Sequence, residues 1–222
     1  MIQDETIKAA LITLDLKEDV SVEEIRDEYL ERTSETQFQQ WVLTDEQLRK
    51  DFIRYHKAFI TLVKYYSDSG SDGDYYPQDE EEMFQFLMNM GIYYFITQNY
   101  IKAGEKFQEA YRLDKTHPLL LSYLGVLLLK RRDFYAAEKY FKDALEIDKD
   151  FDDAWFYLGE NYFKAGELKK ALNMYEQAKR LNPSRNQVGH RIKEIRQKLE
   201  KPVSAAEKLS FLGRLLKLFQ KK

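Results

Sequence analysis

The chain has 222 residues, 44% of them apolar and 33% charged, with 35 Lys and Arg against 38 Asp and Glu for a net charge of −3. That is the balance of a soluble globular protein with room for one or two cores, and the absence of cysteine excludes disulfides and thiolate metal sites. The longest near-apolar run, Leu119–Leu129, is too short to cross a bilayer. Met1-Ile2-Gln3-Asp4-Glu5 lacks the basic-then-apolar order of a secretory signal, so a cytoplasmic protein is expected.

With only 4 Pro and 9 Gly, the composition favours an all-α chain. Residues 1–66 read as three helices. The first covers Thr6–Leu14. The second covers Val22–Arg32 and starts at Ser21, which with Glu24 makes a capping box. The third covers Asp45–Tyr66, with Leu48, Phe52, Tyr55, Phe59, Leu62 and Tyr66 on one face. Leu14-Asp15-Leu16, the run Glu23-Glu24-Ile25 ending at Tyr29, and Phe52, Ala58, Phe59 and Leu62 resemble the corresponding elements of a J-domain. The His-Pro-Asp motif of that family is missing, because the inter-helix loop, Thr33–Trp41, has neither His nor Pro. The second helix is acidic at Glu23, Glu24, Asp27, Glu28 and Glu31, where that family is basic. The resemblance therefore implies a J-like unit kept for docking, without stimulation of a chaperone ATPase. Phe38 and Trp41 in the loop read as core anchors or as a contact patch.

Residues 67–83 read as an acidic flexible linker. Between Ser67 and Glu82 there are seven acidic residues and no basic one, interspersed with Gly and Ser.

A 34-residue repeat follows. Trp155, Leu158, Gly159, Tyr162, Ala171, Tyr175, Ala178 and Pro183 recur one repeat earlier as Leu121, Leu124, Gly125, Leu128, Ala137, Phe141, Ala144 and Lys149. One repeat earlier still they recur as Leu87, Met90, Gly91, Tyr94, Ala103, Phe107, Ala110 and Lys115. This spacing resembles the tetratricopeptide repeat, giving three helix pairs at 84–117, 118–151 and 152–185. A capping helix at 186–200 carries Val188, Ile192, Ile195 and Leu199 on one stripe. A mid-helix glycine costs about 1 kcal/mol against alanine, so Gly91, Gly125 and Gly159 imply close helix approach. Ala103, Ala137 and Ala171 are the small residues expected to face them.

The resemblance implies a concave groove lined by the first helix of each pair. Its positions are Gln85, Met88, Ile92 and Phe95; Leu119, Ser122, Val126 and Leu129; and Asp153, Phe156, Glu160 and Phe163. One subclass of the family clamps a chaperone's C-terminal carboxylate with Lys, Asn and Arg. Here those places hold Met88, Ile92, Tyr123, Asp153 and Tyr157, so no carboxylate clamp for a chaperone tail is expected, and Asp153 and Glu160 would repel one. The expected occupant is an apolar or helical segment of a protein partner, unless the N-terminal region or the C-terminal helix of the chain fills the groove.

Residues 203–222 read as a basic amphipathic helix. Leu209, Leu212, Leu216 and Phe219 share a face with Phe211, and Lys208, Arg214 and Lys217 flank it. From Asn186 to Lys222 ten basic residues face three Glu. Such a helix suits a reversible, peripheral membrane contact or docking into a groove. His56, His117 and His190 have no metal-ligand spacing, and no phosphate-cradling loop or catalytic triad is present. The body is acidic, which argues against nucleic acid. The expectation is a non-catalytic scaffold or adaptor without cofactor or metal. The alternative is a secretion or assembly chaperone that shields an apolar segment of a client.

Overall fold

The computed structural model describes residues 4–33, 39, 45–66, 77 and 79–200. The positions of Phe38 and Trp41, most of the stretch expected as an acidic linker and all of the segment 203–222 expected as a helix lie outside them. Among the described residues every element is a helix.

The first three are α1 (Glu5–Leu14), α2 (Val22–Thr33) and α3 (Glu46–Tyr66). The capping box at the start of α2 is formed: the Ser21 amide donates to Glu24 Oε2 at 2.8 Å, and the Glu24 amide to Ser21 Oγ at 3.2 Å. Both α1 and α2 pack on α3. Ile7, Leu11, Leu14, Ile25, Tyr29, Phe59 and Leu62 close a small core, in which the Tyr29 ring stacks on Phe59 at 4.2 Å.

Seven helices make the repeats and their cap: α4 (Glu80–Ile96) with α5 (Tyr100–Leu113), α6 (Pro118–Lys130) with α7 (Phe134–Ile147), α8 (Asp152–Lys164) with α9 (Leu168–Leu181), and α10 (Asn186–Glu200). Helix α4 begins inside the stretch expected as linker. Asp79 is its N-cap and accepts from the Glu82 amide at 2.8 Å, and the acidic first turn Glu80–Glu82 suits the positive end of the helix dipole.

The turns inside the three pairs share one geometry. Gln98, Arg132 and Gly166, each 34 residues on from the last, adopt positive φ of 65°, 62° and 84°. The next amide (Asn99, Asp133, Glu167) closes back on the helix at 2.8–3.0 Å.

The mid-helix glycines have nearer and larger neighbours than the alanines expected to face them. What lies over each glycine is the aromatic ring four residues beyond the alanine. A Cβ built on Gly91 would sit 2.4 Å from the Phe107 ring, on Gly125 2.6 Å from Phe141, and on Gly159 2.9 Å from Tyr175. A full aromatic side chain occupies the space that the missing side chain leaves. The same rings continue to the next repeat, with Phe107 stacked on Tyr123 at 4.9 Å and Phe141 on Tyr157 at 6.1 Å. Ala103, Ala137 and Ala171 are fully buried beside them.

Two histidines that the sequence leaves without a role have structural ones. His56 on α3 meets the Tyr29 hydroxyl through Nδ1 at 2.7 Å and stacks on Tyr93 of α4 at 4.3 Å, joining the N-terminal helices to the first repeat. His117 is the N-cap of α6.

Candidate functional site

The concave face divides into two halves. Along the first repeat and part of the second, the chain's own N-terminal region covers it. Phe52 of α3 belongs to the same buried cluster as Met88, Ile92 and Leu119, with Leu48 packed against it. Gln39 reaches the groove through both its ends. Its side-chain amide donates to Asn89 Oδ1 at 2.8 Å, and its main-chain carbonyl accepts from the Tyr123 hydroxyl at 2.9 Å. Asn89 in turn donates to Thr33 Oγ1 at 2.8 Å, and all of these groups are buried. Of the predicted groove residues, Met88, Ile92, Phe95, Leu119 and Ser122 are thus interior, at 8% exposure or less. Ser122 Oγ is buried without a hydrogen-bond partner among the described residues.

The second half is a cleft of about 470 Å³ between α6, α8 and α10. Val126, Leu129, Phe156 and Tyr157 make its apolar part, and Lys130, Lys164, Gln187, His190, Arg191, Glu160 and Glu194 its polar part. The predicted residues Val126, Leu129, Phe156 and Glu160 come together here. Phe163, half-buried nearby, lies under the Arg191 guanidinium at 4.9 Å and the Lys198 ammonium at 4.5 Å.

The electrostatics of this half differ from the sequence expectation. Asp153 and Glu160 do not present free negative charge. Arg185, in the turn before α10, pairs with Asp153 and with Asp152 at 3.0 Å, and its guanidinium lies 4.3 Å from the Phe156 ring centre. Burial opposes the Arg185 charge, but the fields of Asp153 and Asp152 outweigh it and raise its pKa. Arg191 of α10 grips Glu160 through Nε at 2.6 Å and Nη2 at 3.2 Å, and the Tyr175 hydroxyl donates to the same carboxylate at 2.6 Å. The hydrogen bond to Glu160 leads the causes that raise the Arg191 pKa. Glu160 therefore ties α8 to α9 and the capping helix. Sequence reading missed Arg185 and Arg191. The available signal was their spacing, because each lies about one repeat beyond its acidic partner and stacked repeats bring such positions together.

Lys130 and Lys164 occupy equivalent places, the last residue of α6 and of α8. Neither has a carboxylate partner among the described residues. The Lys130 ammonium sits 4.8 Å from the Tyr100 ring centre and 5.5 Å from that of Phe95, which holds it at the cleft edge without neutralising it. The Tyr157 hydroxyl makes no hydrogen bond among the described residues, and burial raises its pKa.

A larger hollow, about 1060 Å³, opens where α5, α6 and α7 meet. It is bordered by Tyr100, Ile101, Leu124, Leu127, Leu128 and Tyr140, and Gly104 leaves room in its wall. The membrane- or partner-contact residues expected on the 203–222 helix (Lys208, Leu209, Phe211, Leu212, Arg214, Leu216, Lys217 and Phe219) lie outside the described residues. No group of three His, Cys, Asp or Glu able to hold a metal occurs among those described, and none of the described helices is long and apolar enough to cross a membrane.

Comparison with known proteins agrees with this geometry. The family model "Tetratricopeptide repeat" matches residues 128–190. The chain is 38% identical over 72 residues to tetratricopeptide repeat protein 13 of Homo sapiens, covering 32% of this chain and 8% of that one. It is 32% identical over 109 residues to the transcriptional regulator HilA of Salmonella typhimurium, covering 49% and 19%. It thus spans less than a fifth of the length of either relative. Among solved structures, the first TPR of Spaghetti (RPAP3) bound to an HSP90 peptide superposes with a TM-score of 0.52 at 21% identity, over 55% of this chain and 97% of that one. The crystal structure of MamA superposes at 0.50 and 20% identity, over 79% and 93%. At such identities the structural likeness speaks for the fold, which is an α-solenoid of tetratricopeptide repeats.

Proposed function

We propose that this tetratricopeptide-repeat chain is a non-catalytic interaction scaffold that receives an apolar or helical segment of a partner protein. It does so in the cleft between α6, α8 and α10. The observation that carries the reading is the asymmetry of the concave face. Its first half is closed by Gln39, Leu48 and Phe52 of the same chain. The second half keeps Val126, Leu129, Phe156 and Tyr157 around a cleft large enough to take several side chains. The HSP90-peptide complex of the RPAP3 repeat supports peptide capture as a use of this fold. The N-terminal helices, which resemble a J-domain without its His-Pro-Asp motif, serve in this reading as an internal partner of the first repeat.

Methyl-labelled full-length chain, titrated with peptides selected on it from a random library, tests the reading. The Val126 and Leu129 signals shift on binding while Ile101, by the larger hollow, stays still. Shifts confined to Ile101, Leu127 and Leu128 would move the site there and refute the assignment.

A further inference from the structure

We propose that the partner segment carries acidic residues two helical turns apart beside its apolar stripe, read by Lys130 and Lys164, with Tyr157 donating to a carbonyl of its main chain. This rests on the reading that the cleft receives a partner, and adds the chemistry of that partner.

Charge complementarity is the first argument. Of the cleft's charges, Arg191 is spent on Glu160 and Glu194, and Lys198 also binds Glu194. Lys130 and Lys164 are left, both exposed and both without a carboxylate among the described residues. Lysine at the last position of a helix suits the helix dipole in any setting, but these two also border one apolar cleft. They end equivalent helices one repeat apart, and neighbouring packed helices lie about 8–10 Å from each other. Residues seven apart on a partner helix are separated by about 10 Å and point to nearly the same side. Two carboxylates at that spacing would meet both ammonium groups while the apolar stripe rests on Val126, Leu129 and Phe156. A basic occupant would meet like charge instead, which sets the 203–222 segment of this chain at a disadvantage.

The second argument comes from the occupied half. There the Tyr123 hydroxyl donates to the main-chain carbonyl of Gln39 at 2.9 Å. Tyr157 stands one repeat further on, at the same repeat position and in the cleft wall, and its hydroxyl has no partner among the described residues. The chain thus shows on itself how this position engages a backbone. Tyr157 is half-buried in the cleft wall, so a carbonyl of the partner seated there would give its hydroxyl an acceptor.

The probe is a random 16-residue peptide library displayed on phage, panned on the full chain and on its Lys130→Glu, Lys164→Glu double variant. Peptides selected on the native chain should be enriched in Asp or Glu pairs seven residues apart. The double variant should bind a selected peptide about tenfold more weakly at low salt, and should recover binding when the peptide's acids are changed to Lys. Tyr157→Phe should weaken binding several-fold with an unchanged thermal melt. Absence of acidic enrichment, or indifference to the charge reversal, overturns the proposal. Preferential binding of a labelled 203–222 peptide to the cleft of the full chain overturns it as well. If selected peptides move the Val126 and Leu129 methyls yet ignore the lysines, the groove reading survives and only the acidic partner falls. If they move neither methyl, the groove reading falls too.

Discussion

Gly91 and Gly104 both sit within helices of the first repeat, so replacing either with alanine removes the same backbone penalty, about 1 kcal/mol. What decides the sign is the space for one methyl group. At Gly104 the new Cβ finds its nearest neighbour, a Leu127 methyl, at 3.7 Å, an ordinary contact. Gly104→Ala should therefore stabilise the chain by about 0.5–1 kcal/mol. At Gly91 three atoms of the Phe107 ring lie at 2.4–2.9 Å. That ring is fully buried and stacked on Tyr123, so it cannot swing into solvent. Overpacking costs about 1–3 kcal/mol; three ring atoms inside 3 Å put Gly91→Ala at the upper end, about 3 kcal/mol, so after the helix gain of about 1 kcal/mol the net effect is a loss of about 2 kcal/mol. For a chain of this size that is a fall in Tm of roughly 4–8 °C, against a rise of a few degrees for Gly104→Ala. Urea and thermal unfolding of the two variants, followed by circular dichroism, measure both. Gly159→Ala, with its closest ring atoms at 2.9 Å, should fall less than Gly91→Ala. If Gly91→Ala and Gly104→Ala shift stability in the same direction, the ring-over-glycine account of the repeat is wrong.

Tyr123→Phe leaves the buried Gln39 carbonyl without its donor, so it should cost about 1–3 kcal/mol and speed hydrogen exchange in α3; unchanged exchange would show that the N-terminal region is held without this contact. Arg185→Ala removes the guanidinium that faces the buried Asp153 and should lower stability by about 3 kcal/mol, with part of the loss recovered in the Arg185→Ala, Asp153→Ala double variant. Stability should also fall in mild acid. Burial depresses the His56 pKa to about 3, so the folded state keeps it neutral while the unfolded chain takes up a proton below about pH 6.5. The stability is complete above that pH, about 2 kcal/mol of it is gone by pH 5, and His56→Gln should flatten the difference between urea midpoints at pH 7.5 and pH 5.

The repeats were legible because their physics is periodic. A ring over a glycine, a left-handed turn and an apolar seam recur every 34 residues, so one clear copy at Trp155–Pro183 identifies the two weaker ones. The capping box at Ser21 and the start of α2 were legible for the same local reason, since the residues that make the contact are three apart. The closure of the first half of the groove was not. Gln39 meets Asn89 and Tyr123 across 50 and 84 residues of sequence, from a stretch with no apolar periodicity. A single side-chain amide and a main-chain carbonyl leave no mark on a pattern of hydrophobic spacing. The charge of the groove was misread for a related reason. Asp153 and Glu160 were weighed with their own helix, whereas Arg185 and Arg191 arrive from the structure one repeat further on.

These two long-range contacts also fix the polarity of the proposed site. With Gln39, Leu48 and Phe52 seated at the first repeat, a partner segment cannot run the length of the concave face. It must enter beside the capping helix, whose Gln187, His190, Arg191 and Glu194 form one wall. Three packed helices at roughly 8–10 Å spacing span about 20 Å, which matches a partner helix of about 14 residues at 1.5 Å per residue. The same wall is pinned by Arg191 to Glu160, and through Glu160 to Tyr175 beneath the last repeat glycine. The cleft is therefore held open by the bonds that cap the solenoid, and a change that loosens α10 should weaken partner binding and repeat stability together.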